Sequence, residues 1–166
     1  MKKIIFVFLG SLMPLFINAQ NYQEQILGNW QESRMTISFI CDGKTYSNIV
    51  EKKYEDKIAV EYTFYRNHSL TVNVGYEING TYRLTGNRLV LNYEAWGHSY
   101  DEFPETIKSI NSTTMVTESR MSDFVDKEDL NYFIETDGFK QEYASLVRSF
   151  AGKEITLIST KYYIKK

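Results

Sequence analysis

The sequence is poor in cysteine, histidine and catalytic motifs. Cys41 is the single cysteine in 166 residues, so no disulfide can form within one chain, and we expect a buried or rim thiol there. There is no Gly-x-Ser-x-Gly elbow, no His-Glu-x-x-His helix and no phosphate-binding glycine loop. The two histidines, His68 and His98, lie far apart in the sequence. We therefore expect a protein that is not an enzyme and that holds neither a metal nor a cofactor.

The acidic residues also lack the pattern of a metal site. The densest group surrounds Asp123 and Asp129, and it does not have the alternating Asp spacing and glycine of a calcium loop. We expect a solvated turn at this point of the chain.

Long hydrophobic runs are absent except at the N-terminus. Lys2 and Lys3 precede an apolar stretch over residues 4–17, and Ala19 is a small residue suited to signal cleavage. The stretch is too short to span a bilayer comfortably. We predict a signal peptide over 1–19, one domain over 20–166, no transmembrane segment and a periplasmic or secreted protein. A lipid anchor is not expected, because Cys41 lies far from the cleavage site.

An excess of positive charge is missing as well. Of the 19 Lys and Arg residues, two lie in the predicted signal peptide, which leaves 17 against 21 Asp and Glu. These charges are interspersed and form no basic stripe, so nucleic acid is not an expected partner.

Aromatic and β-branched residues are abundant, and they recur in short runs separated by turn residues. This spacing is typical of an all-β barrel or sandwich. The clearest hairpin pairs 80–85 with 88–93 across Gly86-Asn87. The predicted strands cover residues 30–40, 57–66, 70–76, 80–85, 88–93, 106–110, 114–121 and 154–164. A helix is predicted over 139–150, before the last strand, because apolar residues recur there at helical spacing.

Two short motifs are distinctive: Gly28 and Trp30 form a Gly-x-Trp opening, and a later hairpin carries Gly80 and Gly86. The opening resembles that of lipocalins, and the hairpin is similar to the central hairpin of the bacterial lipocalin-like domain family. The resemblance implies an eight-stranded antiparallel up-and-down barrel, closed at one end by Trp30, with a cavity for a small apolar ligand. Animal lipocalins stack an arginine on this tryptophan; the candidates for the matching cation are Arg120, Arg148 and Lys161.

The order of strands then predicts where each loop lies. Successive connections of an up-and-down barrel alternate between its two ends. With Trp30 at the closed end, the turns 67–69, 86–87 and 111–113 lie there too. The three long connections 41–56, 95–105 and 122–152 all fall on the open rim.

Two functions from different classes are consistent with this pattern. The first is an exported protein that binds or sequesters a small apolar ligand; the second is a protein-interaction or inhibitor module that acts through the rim loops 41–56, 95–105 and 122–152. For the first, the inward aromatic side chains either fill the barrel or line a cavity, and both interpretations are open. The candidate ligand-binding residues are Tyr62, Phe64, Tyr82, Leu91, Tyr93, Trp96, Tyr100 and Phe103.

Overall fold

The computed structural model describes residues 22–54, 59–95, 98–99, 104–125 and 140–166. A helical turn at 22–25 precedes the first strand. The strands are β1 (Gly28–Cys41), β2 (Lys44–Lys53), β3 (Glu61–Phe64), β4 (Ser69–Asn73), β5 (Glu77–Thr85), β6 (Arg88–Asn92), β7 (Glu94–Ala95), β8 (His98–Ser99), β9 (Glu105–Ile110), β10 (Thr114–Val125) and β11 (Lys153–Lys165). A 3₁₀ turn at Gln141–Tyr143 leads into the helix α1 (Ala144–Arg148), before β11.

The strands close into an antiparallel barrel. The sheet order is β11-β10-β9-β6-β5-β4-β3-β1-β2, and β11 also pairs with β1. β2 and β3 pair with successive parts of the same edge of β1, so they share one position in the wall and the barrel has eight strands. β7 and β8 form a separate two-stranded hairpin. The predicted fold, an eight-stranded up-and-down barrel with a short helix before the last strand, is confirmed.

The segment 41–56 differs from the sequence prediction. It was expected to be a rim loop, which is wrong, because 44–53 form strand β2 and only Asp42 and Gly43 make the turn. Both turn residues have positive φ, 50° and 73°, as a tight two-residue hairpin requires. One of the three rim loops of the protein-interaction hypothesis is therefore a strand. Much of the other two lies outside the described residues.

The closed end of the barrel is built around Trp30. Its side chain is fully buried, and its indole nitrogen donates a 2.7 Å hydrogen bond to the carbonyl of Ile26, just after the helical turn. Lys165 is the cross-strand partner of Trp30, and its Nζ lies 4.9 Å from the ring centroid. The cation over the tryptophan is thus Lys165. Arg120, Arg148 and Lys161, the candidates from the sequence, were wrong because the register places none of them opposite Trp30.

Gly80 allows β5 and β6 to approach closely. A Cβ atom at this position would lie 2.4 Å from the Asn92 carbonyl oxygen and 2.8 Å from the Tyr93 Cβ. Any side chain would push the two strands apart. The structural role predicted for Gly80 therefore has a direct steric cause, while Gly28 begins β1 and Gly86 lies in the predicted turn after β5.

Two apolar clusters fill the two ends of the interior. The lower cluster contains Trp30, Ile26 and the inward residues of β3 to β6. The upper cluster joins Phe39 of β1 and Ile155 of β11 to Val147 and Phe150, at and just beyond α1. The helix is shorter than the predicted 139–150, and Phe139 lies outside the described residues. Its apolar face packs against the inner face of the long strands, as the spacing indicated.

Candidate functional site

The register divides the long strands into an inner and an outer face. Tyr163 of β11 and Met115 of β10 are paired and belong to the lower apolar cluster, so they face inward. Because side chains alternate along a strand, the inward set on β11 continues with Lys161 and Ser159. On β10 it continues with Thr117, Ser119 and Met121. The outer face is marked by Arg34, whose guanidinium lies 3.8 Å from the ring centroid of Tyr162.

Five of the predicted ligand-binding residues form the floor of the interior. Tyr62, Phe64, Tyr82, Leu91 and Tyr93 are all buried in the lower cluster. The Tyr62 ring lies 6.3 Å from that of Tyr93, and the Phe64 ring lies 5.0 Å from that of Tyr82. The Tyr82 hydroxyl donates to the carbonyl of Tyr65 at 2.9 Å, which places it at the closed end.

The other three predicted residues, Trp96, Tyr100 and Phe103, lie outside the described residues. Whether any of the eight contacts a ligand stays a prediction. The five that are described are close-packed with one another, which favours a filled lower barrel rather than a cavity at that level.

Above this floor lies a buried polar group that we name the acid–lysine cluster: Glu32, Glu105, Thr117, Lys161 and Tyr163. Glu105 accepts a hydrogen bond from the Lys161 ammonium at 2.6 Å and another from the Thr117 hydroxyl at 2.6 Å. The Tyr163 hydroxyl donates to the same carboxylate at 3.4 Å. Three donors on β10 and β11 thus bind the Glu105 carboxylate. Because Glu105 belongs to β9, its side chain joins β9 to those two strands.

The two carboxyls of this cluster have opposite pKa shifts. Burial raises the pKa of Glu32, and the Glu105 charge adds to this, while Lys161 and a hydrogen bond with Tyr54 counteract it in part. Burial alone would also raise the pKa of Glu105, but Lys161 and the three hydrogen bonds lower it below its ordinary value. Burial opposes the charge on Lys161, yet the neighbouring Glu105 raises the pKa of the ammonium well above its usual range. Lys161 and Glu105 therefore form an ion pair inside the barrel.

The inner wall beside and above this cluster is not fully covered. The Lys161 side chain is 23% exposed although it faces inward, and Met121 is 44% exposed. Ser119 and Ser159, which are paired across β10 and β11, are half-buried. The inward residues of β1 at this level, Met35 and Ile37, are half-buried too. Inward side chains that still meet solvent must border a cavity or an opening.

The sequence alone does not identify this site, although part of the signal is present in it. Glu32 lies two residues after Trp30, and Lys161 lies two residues before Tyr163, so strand alternation already places both on inward faces. A charged residue on the inward face of a barrel strand is unusual. The link to Glu105 could not be seen, because it depends on how β9, β10 and β11 pair.

The remaining chemical candidates are dispersed. His68 lies in the turn between β3 and β4, at the closed end as predicted, and its ring is 5.5 Å from that of Tyr82. Within the described ranges, no three His, Cys, Asp or Glu side chains come together as a metal site. No helix in the same part of the chain is long and apolar enough to cross a membrane.

Comparisons with known proteins give low sequence identity throughout. No protein-family model and no curated protein matches the chain. A lipocalin-like protein from Bacteroides uniformis is similar at 10% identity with a TM-score of 0.34, over 86% of this chain and 99% of its own. An uncharacterized protein from Bacteroides eggerthii is similar at 10% identity with a TM-score of 0.31, over 84% of this chain and 98% of its own.

The class of protein follows from the strand pairing of the chain itself. Its eight antiparallel strands close completely, and a buried tryptophan with a cation on its ring lies at one end. This is a lipocalin-like barrel, as the sequence resemblance predicted.

Proposed function

We propose that this protein is an exported binding protein that holds one small, largely apolar molecule inside its barrel, and that it is not an enzyme. The observation that carries the proposal is that the inner wall above the aromatic floor still meets solvent. The inward side chain of Lys161, for example, is 23% exposed. Eight-stranded barrels are wide enough either to be filled by side chains or to hold one small ligand. Here the lower half is filled, whereas several inward side chains above it, such as Met35, Ile37 and Ser159, are half-buried.

The ligand would lie between the two apolar clusters. Below it, Tyr62 and Tyr93 end the floor; above it, Phe39 and Phe150 belong to the upper cluster. The wall between them carries apolar Met35 and Ile37 on β1 as well as the polar groups of β10 and β11. Trp96, Tyr100 and Phe103 stay predicted contacts at the entrance.

Export is part of the proposal and rests on the N-terminal sequence alone. Residues 1–19, which lie outside the described residues, have the order of a signal peptide: two lysines, an apolar stretch and a small residue at 19. The mature chain would begin at Gln20 and would work in the periplasm or outside the cell.

The binding proposal is tested by filling the interior at one position. Ser159 faces inward and Thr160, its neighbour, faces outward on the same strand, and both are half-buried. Ser159→Tyr adds a ring where the ligand would lie, whereas Thr160→Tyr adds the same ring on the outside. We expect fluorescence titration with the neutral apolar dye 1-aminoanthracene to show saturable binding. Ser159→Tyr should weaken it by about tenfold or more, since overfilled interiors cannot relax freely.

The matched control decides how this titration is interpreted. Thr160→Tyr should bind the dye as the parent does, and circular dichroism should show that both variants keep their strands. If the parent does not bind the dye, or if both variants bind it equally well, the ligand does not lie inside the barrel.

A further inference from the structure

We propose that Lys161, together with Ser119 and Ser159, binds the acidic headgroup of an amphipathic ligand, such as a carboxylate on an apolar chain. This inference rests on the proposed function, because a headgroup site needs a ligand inside the barrel. The three side chains lie on the inner faces of two adjacent strands. Thr117 pairs with Lys161, and Ser119 pairs with Ser159 one inward position further along. Successive inward residues are about 7 Å apart along a strand, so one small headgroup can reach across both pairs.

The site can offer a ligand mainly hydrogen-bond donors. An ammonium has three N–H donors. Lys161 donates one of its three N–H groups to Glu105. Among the described residues, Glu105 is the one hydrogen-bond partner of this ammonium. The other two N–H groups of Lys161 have no hydrogen-bond partner among the described residues, on a side chain that is 23% exposed. The hydroxyls of Ser119 and Ser159 can donate to the same group.

The carboxyls of the cluster offer less to a ligand. Glu105 already accepts hydrogen bonds from three donors, and its side chain is 6% exposed. Glu32 is 3% exposed, so a ligand can hardly reach it. A cationic headgroup would have to compete with Lys161 for Glu105, whereas an anionic one would meet N–H groups that have no hydrogen-bond partner in the described part of the chain. The site therefore favours an acid over an amine.

The surroundings are suited to an apolar chain on the same ligand. Met35 is the cross-strand partner of Lys161 on β1, and Ile37 is the partner of Ser159. Leu157 continues the inner face of β11 into the upper apolar cluster. A headgroup at Lys161 would thus have apolar wall next to it and apolar side chains beyond it.

The experiment compares three ligands of equal chain length, decanoate, 1-decanol and decylamine, as competitors of 1-aminoanthracene at pH 8. We expect decanoate to displace the dye at about tenfold lower concentration than decanol, because hydrogen bonds to charged groups are the strong ones. Decylamine should be the weakest of the three. Glu105→Gln should increase the preference for decanoate, since it removes the charge that competes for Lys161.

The decisive variant is the double substitution Lys161→Met with Glu105→Gln. It removes the ammonium without leaving Glu105 as an unpaired buried carboxylate, so the barrel should fold and still bind the dye. The preference for decanoate over decanol should be lost. Arg120→Met, on the exposed outer face of β10, is the control and should keep it.

The outcomes separate the two proposals. If the parent does not bind the dye, the proposed function itself fails. If the dye binds but decylamine competes better than decanoate, or if the double variant keeps the decanoate preference, the headgroup site is wrong while the binding barrel stands.

Discussion

Glu32 and Glu105 lie in one buried cluster, yet the protein treats their charges in opposite ways. Glu105 receives donors from Lys161, Thr117 and Tyr163, so its ionised form is stabilised. Glu32 is just as buried, but its neighbours stabilise its charge less, so burial raises its pKa. Folding therefore favours an ionised Glu105 and a protonated Glu32.

These opposite shifts predict opposite effects of pH on two matched variants. Glu32→Gln should stabilise the protein at neutral pH, because ionised Glu32 is costly in the folded state. The gain in stability should grow as pH rises from 4.5, the ordinary pKa of a glutamate, through the raised pKa of Glu32. Below pH 4.5 the gain should vanish. Glu105→Gln should destabilise above pH 4.5, and this loss should shrink as pH falls through the lowered pKa.

Thermal unfolding of the parent and both variants from pH 2 to pH 8 checks this prediction. A loss of stability in Glu32→Gln that grows with pH would show that the Glu32 carboxylate is favourably paired when folded. Parallel curves for the two variants would contradict the difference in environment.

At the level of single residues, the sequence could predict faces but not partners. The period of two places Glu32 on the same face as Trp30 and Lys161 on the same face as Tyr163. It also separated the buried positions of β5 and β6, such as Tyr82 and Leu91, from their exposed neighbours. The partner of Lys161 is 56 residues away, and the cation on Trp30 comes from the last strand. The first contact depends on how β9, β10 and β11 pair, and the second on the closure of β11 onto β1; no local pattern encodes either.

At the level of elements, α1 shows how a very short helix is held in place. Five residues cannot form a stable helix alone in water, so α1 depends on tertiary packing. Phe150, just after it, is buried with its ring centroid 5.9 Å from that of Phe39 and 5.3 Å from that of Tyr46. The helical segment is thus tied to β1 and β2.

Removing this contact should destabilise the whole domain. Phe150→Ala deletes a buried ring and should cost about 3–5 kcal/mol in the free energy of unfolding. Arg148→Ala, on the exposed side of the helix, should change it by about 0.5 kcal/mol or less. Urea unfolding of both variants measures the difference. Equal, small effects would mean that the upper cluster does not hold the helix to the barrel.

The elements also show where sequence patterns failed. β2 was missed because its ten residues include several that are polar or charged, and just Ile49 and Val50 are buried. The signal that was present is the Asp42-Gly43 dipeptide, a strong two-residue hairpin turn. The step from Ile37 to Phe39 in β1 is also matched by a step from Val50 to Tyr46 in β2, and the extra residues break the regular alternation of β2. Strands with a clean period of two, such as β3 and β6, were predicted within a few residues.

At the scale of the whole molecule, the barrel has an apolar cluster at each end and a polar layer between them. The Lys161–Glu105 ion pair and the half-buried serines lie at the level where inward side chains still meet solvent. A barrel needed for stability alone would be expected to fill this level with apolar side chains, because a buried ion pair is seldom better than good packing. This layer is therefore where the proposed ligand would lie.

Native mass spectrometry of the protein isolated from its own host tests the ligand-binding claim most directly. We predict a bound small molecule at one per chain, which is lost in Ser159→Tyr and retained in Thr160→Tyr. The polypeptide mass in the same spectra shows whether the mature chain begins at Gln20. Bare polypeptide in all three proteins, with no displacement of 1-aminoanthracene by a lipid extract of the host, would contradict the account.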